Sequence, residues 1–196
     1  MEYSDEKIQQ IKRELRRNQP LNFAEPVIID EEEYNFTRTM LFEDQVSILL
    51  PAEFVDMPPE LAKQKYPMEQ RPQIIKTNLG LSVNFAFNLF AEELPENQIK
   101  DAVKSFKTLI KRMQPANRFY TDKIDQTGEQ IFGWFDFKSP GMDEPLYTIM
   151  AFTGIGGQFL HCTFNSAHRL MEDWKPAALQ VLRSIQDETK KKELRL

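Results

Sequence analysis

Three runs decide the fold: residues 131–137, IFGWFDF; residues 144–165, EPLYTIMAFTGIGGQFLHCTFN; and residues 172–185, EDWKPAALQVLRSI. The segment 158–165 is rich in aromatic and β-branched residues and follows Gly154, Gly156 and Gly157, the signature of a strand entered through a tight turn. Residues 146–152 have the same character on the other side of that turn. The two therefore predict a hairpin, and 131–137 adds a third strand across Ser139-Pro140-Gly141. Alternation sends Leu160, Cys162 and Phe164 to one face and Phe159, His161 and Thr163 to the other. Neither face is wholly polar, so these strands read as central ones covered on both sides.

The third run supplies a cover. Trp174, Ala178, Val181, Leu182 and Ile185 recur at helical spacing, with Asp173 as the expected cap and Pro176 expected in the first turn. A second helix is predicted over 96–114, opened by Pro95, with Ile99, Val103, Phe106, Leu109, Ile110 and Met113 at helical spacing and lysines lining the rest. Further strands are predicted over 36–42, 46–50, 74–77, 81–89 and 119–124. The resulting class is α+β, an antiparallel sheet of about six to eight strands sandwiched by helices.

Length fits one domain with extensions. Residues 1–35 read as a short helix over 4–17 followed by an acidic linker, in which Val27-Ile28-Ile29 offers a short strand. Residues 36–186 form the domain, and 187–196 a charged tail. The excursion 52–72 is rich in proline, with a helical turn near 60–65.

The net charge of −5 gives no electrostatic reason to expect nucleic-acid binding. One cysteine forms no internal disulfide, no run approaches the roughly 18 apolar residues of a membrane span, and the first residues lack an apolar signal core. These features lead to an expectation of a cytoplasmic protein without membrane insertion. With two histidines, no CxxC or HExxH and no glycine loop feeding a helix, no metal, cofactor or phosphate site is expected.

Two places merit attention as sites. Phe132, Trp134, Tyr147 and His161 would line an apolar pocket or interface if one sheet face were left open. The acidic run Asp30, Glu31, Glu32 and Glu33 lies in a stretch, 21–60, with ten acids against one base. With Phe54, Met57 and Tyr66 as exposed anchors from the excursion, it suggests a surface for a basic protein partner.

The layout also resembles a family. VSILLP at 46–51 ends a strand on proline, a long excursion follows, and HCTFNSAHRLMEDWKPAALQVLRSI at 161–185 closes the meander. This is similar to the PsbP-like fold, shared by photosystem extrinsic PsbP proteins and the Ran-binding Mog protein, over about 36–186. The resemblance implies an antiparallel sheet between helices and a non-enzymatic binding or adaptor role, with no catalytic residues carried over. The reading is thus a non-catalytic interaction or accessory protein. The alternatives are a small-molecule binder, or an enzyme using His161 with a carboxylate in the aromatic cluster.

Overall fold

The computed structural model describes residues 21–67, 71–128 and 130–189. The expected helix over 4–17 lies outside the described residues. A hairpin of β1 (Val27–Ile29) and β2 (Glu32–Tyr34) comes first, then a second hairpin of β3 (Phe36–Leu41) and β4 (Val46–Pro51). The excursion carries β5 (Val55–Asp56) and helix α1 (Pro59–Lys65), and leads to β6 (Ile74–Thr77) and β7 (Val83–Phe90). Helix α2 (Ile99–Met113) precedes a four-strand meander, β8 (Arg118–Thr127), β9 (Gln130–Ser139), β10 (Leu146–Ile155) and β11 (Gln158–Ala167). Helix α3 (Met171–Arg183) and the short β12 (Gln186–Asp187) complete the domain.

The large sheet has seven strands in the order β5-β6-β7-β11-β10-β9-β8, all antiparallel. A three-stranded sheet, β12-β4-β3, stands apart from it. The long central strands follow from their composition: β-branched and aromatic residues alternate between two buried faces, so each face demands its own cover.

One face is covered by α3 and the small sheet. Trp174, Ala177, Ala178, Val181 and Leu182 pack with Ile48, Leu50, Phe85, Ile149 and Phe164 in the main core. Trp174 is 1% exposed and its ring centroid lies 5.1 Å from Tyr34, 5.9 Å from Phe54 and 6.1 Å from Phe164. The other face is covered by α2, where Val103, Phe106 and Ile110 meet Phe135, Phe137 and Phe152. Gly133 lets α2 sit close. A Cβ there would come nearer than 3.0 Å to methyl groups of Ile99, Val103 and Ile124. Helix α1 covers the same face over β6 and β7, where Leu61, Ala62 and Tyr66 flank Met57, Ile75 and Ala86.

Three expectations need correction. Residues 21–35 are not a linker: Phe23, Val27, Ile29 and Tyr34 are buried in the main core, and apolar burial holds the β1–β2 hairpin to the domain. The tail does not begin at 187, because Asp187 pairs with Val46 in β4 and Glu188 accepts a 2.6 Å hydrogen bond from Ser47 Oγ. Residues 190–196 lie outside the described residues. The third correction concerns α3, which starts earlier than Asp173. A single 3-10 turn, His168–Leu170, buries Leu170 and feeds the helix at Met171, leaving Pro176 inside it. Pro176 has no N–H for the carbonyl of Glu172, and the helix continues because its apolar stripe is buried over its whole length.

Candidate functional site

The expected aromatic pocket does not form. Trp134 lies opposite Ala151, which lies opposite Cys162, so Phe132, Trp134 and Tyr147 share the α3 face with Cys162. His161 lies opposite Phe152 and Asn88, on the α2 face. Strand register separates the four residues by the thickness of the sheet. Phe132, Trp134 and Tyr147 are core residues, exposed by 3%, 2% and 0%. His161 stacks on Phe152 at 5.2 Å and 12°, packs near Phe106, and shares a 3.3 Å hydrogen bond between Nε2 and Thr163 Oγ1. Burial lowers its pKa to about 4, so it is neutral near pH 7. Cys162, on the other face, is 1% exposed, and burial pushes its thiol far up.

On the α3 face the structure assembles a polar hub that the sequence reading missed. Asp136 is fully buried. Its Oδ1 accepts from the Thr121 backbone N–H at 2.8 Å, and its Oδ2 accepts from Tyr147 OH at 2.7 Å and Lys175 Nζ at 2.5 Å. The Lys175 ammonium also lies 5.8 Å from the centre of the Trp134 ring. Burial and the adjacent Asp136 charge push the Tyr147 phenol far above its usual value, so it stays a donor. The hub ties β8, β9, β10 and α3 together around one charge with three donors. Beyond it, Tyr120 OH and His168 Nε2 share a 2.8 Å hydrogen bond at the surface. The signal was legible: an aspartate in the middle of IFGWFDF must find donors if the strand is buried. A second carboxylate, Asp125, accepts from Trp134 Nε1 at 2.9 Å and Arg183 Nη2 at 2.7 Å. Burial alone would raise its pKa, but these bonds outweigh it and hold the group below its usual range.

The acidic run takes a definite shape. Asp30 and Glu31 are the two turn residues of the β1–β2 hairpin, with φ of 49° and 68°. Positive φ at both positions is the primed turn that matches strand twist. Asp30 is pushed up, first by partial burial and then by the Asp173, Glu31 and Glu32 charges, against Arg169, which lowers it. Burial and the surrounding Glu32, Asp30 and Glu53 charges likewise raise Tyr34. These acids therefore crowd one another beside the start of α3. Two of the expected anchors are not exposed. Phe54 and Met57 are 8% and 7% exposed, because the excursion folds back as β5 and α1 and turns them inward. Tyr66 is half-buried and accepts at its OH a 3.1 Å hydrogen bond from Asn165 Nδ2. The exposed apolar residue of the acidic patch is Ile28, opposite Glu33 on the outer side of the hairpin and 47% exposed. On the far side of the large sheet, α2 presents exposed Lys100, Lys104, Lys111 and Arg112.

At the turn end of the sheet lie two adjoining open cavities of ≈400 Å³ and ≈560 Å³ that share Glu96, Gly154 and Asp187. Among the described residues no cluster of three or more His, Cys, Asp or Glu is placed to hold a metal, and no helix is long and apolar enough to cross a membrane.

No protein-family model and no curated protein matches the chain. Solved structures do match. The cyanobacterial PsbP protein CyanoP of Synechocystis superposes with a TM-score of 0.56 at 13% identity, covering 78% of this chain and 92% of its own. The Ran-binding protein Mog1p of Saccharomyces cerevisiae gives 0.54 at 10% identity, covering 79% and 96%. LpqN of Mycobacterium tuberculosis, described as involved in cell envelope biogenesis, gives 0.50 at 8%, covering 81% and 93%. The chain therefore has the PsbP-like fold, an α+β architecture built on an antiparallel sheet. At these identities the likeness concerns the fold.

Proposed function

We propose that the protein is a non-catalytic accessory protein that binds a protein partner of basic surface through the β1–β2 hairpin. The observation that carries this reading is the anchored acidic tip. Val27, Ile29 and Tyr34 lock the hairpin into the core, while Asp30, Glu31, Glu33 and Ile28 stay exposed. A rigid display of like charges is unfavourable in isolation, and a cationic partner relieves that repulsion and speeds encounter. Ile28 supplies the apolar contact that the buried Phe54 and Met57 do not. The fold neighbours give support at the level of architecture, since one of them is itself described as a Ran-binding protein.

Affinity capture at low salt with the wild type and with Glu31→Lys/Glu33→Lys tests the reading. A basic protein retained by the wild type, lost from the variant, and then bound directly in purified form supports it. Equal retention by both baits removes this surface from consideration. The small-molecule alternative rests on the paired cavities beside Gly154. Native mass spectrometry of the purified protein, showing a co-purified ligand displaced by bulk at Thr153 or Gln130, would favour it.

A further inference from the structure

We infer that β8 is a self-pairing edge, through which two copies of the chain join their large sheets antiparallel about Ile124. The two edges of the seven-stranded sheet differ sharply. One is the two-residue β5, too short to template anything, while the other is the ten-residue β8. Among the described residues, β8 pairs only with β9, so its outer backbone groups face outward. Such a row of unpaired donors and acceptors recruits another strand unless something prevents it.

The inner pairing of β8 shows which part is usable. A bulge separates Phe119 from Asp122, after which register runs without a break from Asp122 opposite Phe135 to Thr127 opposite Gln130. The stretch Asp122-Lys123-Ile124-Asp125-Gln126 is free of bulges, and the bulge ends it on one side. Its charges then select the partner and the register. A second copy placed antiparallel with Ile124 opposite Ile124 puts Lys123 opposite Asp125 twice, and Asp122 opposite Gln126 twice. Lys123 and Asp125 both project to the α3 face, since they lie opposite Trp134 and Phe132. The two cross-strand ion pairs therefore form on one side of the joined sheet. Centring the pairing on Asp122, Lys123 or Asp125 instead sets a charge against itself, which is destabilising.

Ile124 suits the central position. It is 44% exposed and leans over Gly133 on the α2 face, where Ile99 and Val103 already provide an apolar seat. A second Ile124 across the dyad would cover what remains open. A pairing this short makes a small interface, of the weak and concentration-dependent kind.

The experiment uses the full-length chain. Ile124→Cys places two thiols directly opposite, at a Cα separation of about 4.5–5.5 Å, within the range a disulfide spans. The native Cys162 is buried and stays out of the reaction. Mild oxidation is expected to convert Ile124→Cys largely to a covalent dimer. Tyr120→Cys, on the far side of the bulge, and Gln126→Cys alone stay monomeric, and a mixture of Asp122→Cys with Gln126→Cys gives the heterodimer. Light scattering on the unmodified protein is expected to show mass rising toward dimer with concentration. Lys123→Glu, which turns both ion pairs into repulsions, holds it at monomer with an unchanged circular dichroism spectrum. The inference is overturned if Ile124→Cys cross-links no faster than Tyr120→Cys. It is also overturned if the unmodified chain stays monomeric at every concentration, as it would with the edge covered by its own residues 1–20, or if a different register cross-links.

Discussion

The two faces of the large sheet each hold a titratable side chain under their cover, and they do so in opposite ways. On the α3 face a lysine, a tyrosine and a backbone N–H converge on the Asp136 carboxylate. On the α2 face His161 lies between phenylalanine rings with one hydroxyl for company, and burial keeps it neutral. The difference shows what each helix contributes. Helix α3 brings Lys175 as well as an apolar stripe, so it can partner a buried charge. Helix α2 keeps Lys100, Lys104, Lys111 and Arg112 in solvent, and its Lys107 pairs with Asp122 of β8 at the rim of the sheet, while around His161 it offers the ring of Phe106. A charge at His161 would lie among Phe106, Phe152 and Phe159 with no charged group beside it, and a buried charge left unpaired is costly.

The largest break in this comparison comes from the α3 face. Trp174→Ala removes the aromatic that joins Tyr34, Phe54 and Phe164. We expect it to cost about 3–5 kcal/mol in denaturant unfolding, with the β1–β2 hairpin loosened at the same time. Asp136→Ala comes next, at about 2–3 kcal/mol, because it leaves the buried Tyr147 hydroxyl and the part-exposed Lys175 ammonium without their acceptor. Replacing the whole hub with apolar groups, as Asp136→Leu/Tyr147→Phe/Lys175→Met, is expected to recover most of that loss. If the triple variant is as unstable as the single one, packing rather than stranded polarity explains the cost.

The α2 face is sharpened by pH. His161 has a folded pKa of about 4 against 6.5 for the free side chain. Below 6.5 the unfolded chain therefore binds a proton that the folded chain refuses. The stability held by neutral His161 is complete above pH 6.5, declines as pH falls toward 4, and levels off below. His161→Phe, which keeps the ring in its stack, is expected to remove that decline between pH 6.5 and 4 in thermal melts while leaving the pH 7 melting temperature within a few degrees. The smallest expected effect lies outside both faces. Glu31 occupies a left-handed position in a primed turn, and Glu31→Gly should stabilise by about 0.5–1 kcal/mol in the same assay.

The sheet and both major helices were legible because period-2 and period-3.6 patterns survive burial on both faces. Residues 131–137, 146–152 and 158–165 lie within β9, β10 and β11, and the stripe from Trp174 to Leu182 lies in α3, with Ile185 two residues past its end. The site was less so. Register decides which residues of neighbouring strands share a face, and no local pattern states it. His161 was thereby grouped with Trp134, from which the sheet divides it. The excursion misled for a related reason: its prolines and polar residues suggested exposure, yet Phe54 and Met57 are the apolar residues that fasten it down. The stretch 21–35 read as linker because its acids dominate, while its buried positions, Phe23, Val27, Ile29 and Tyr34, are sparse and irregularly spaced.

The functional reading adds a third region to the comparison, the exposed acidic surface of the β1–β2 hairpin. Its most direct test is site-specific photo-crosslinking in the cells that make the protein. One photoreactive residue replaces Glu33 on the acidic hairpin, and another replaces Lys104 on the outer side of α2. The account predicts a discrete adduct with a basic protein from position 33, weakened by Glu31→Lys and by high salt, and far less from position 104. Equal adducts from both positions, or a position-33 adduct indifferent to charge reversal and salt, would contradict it.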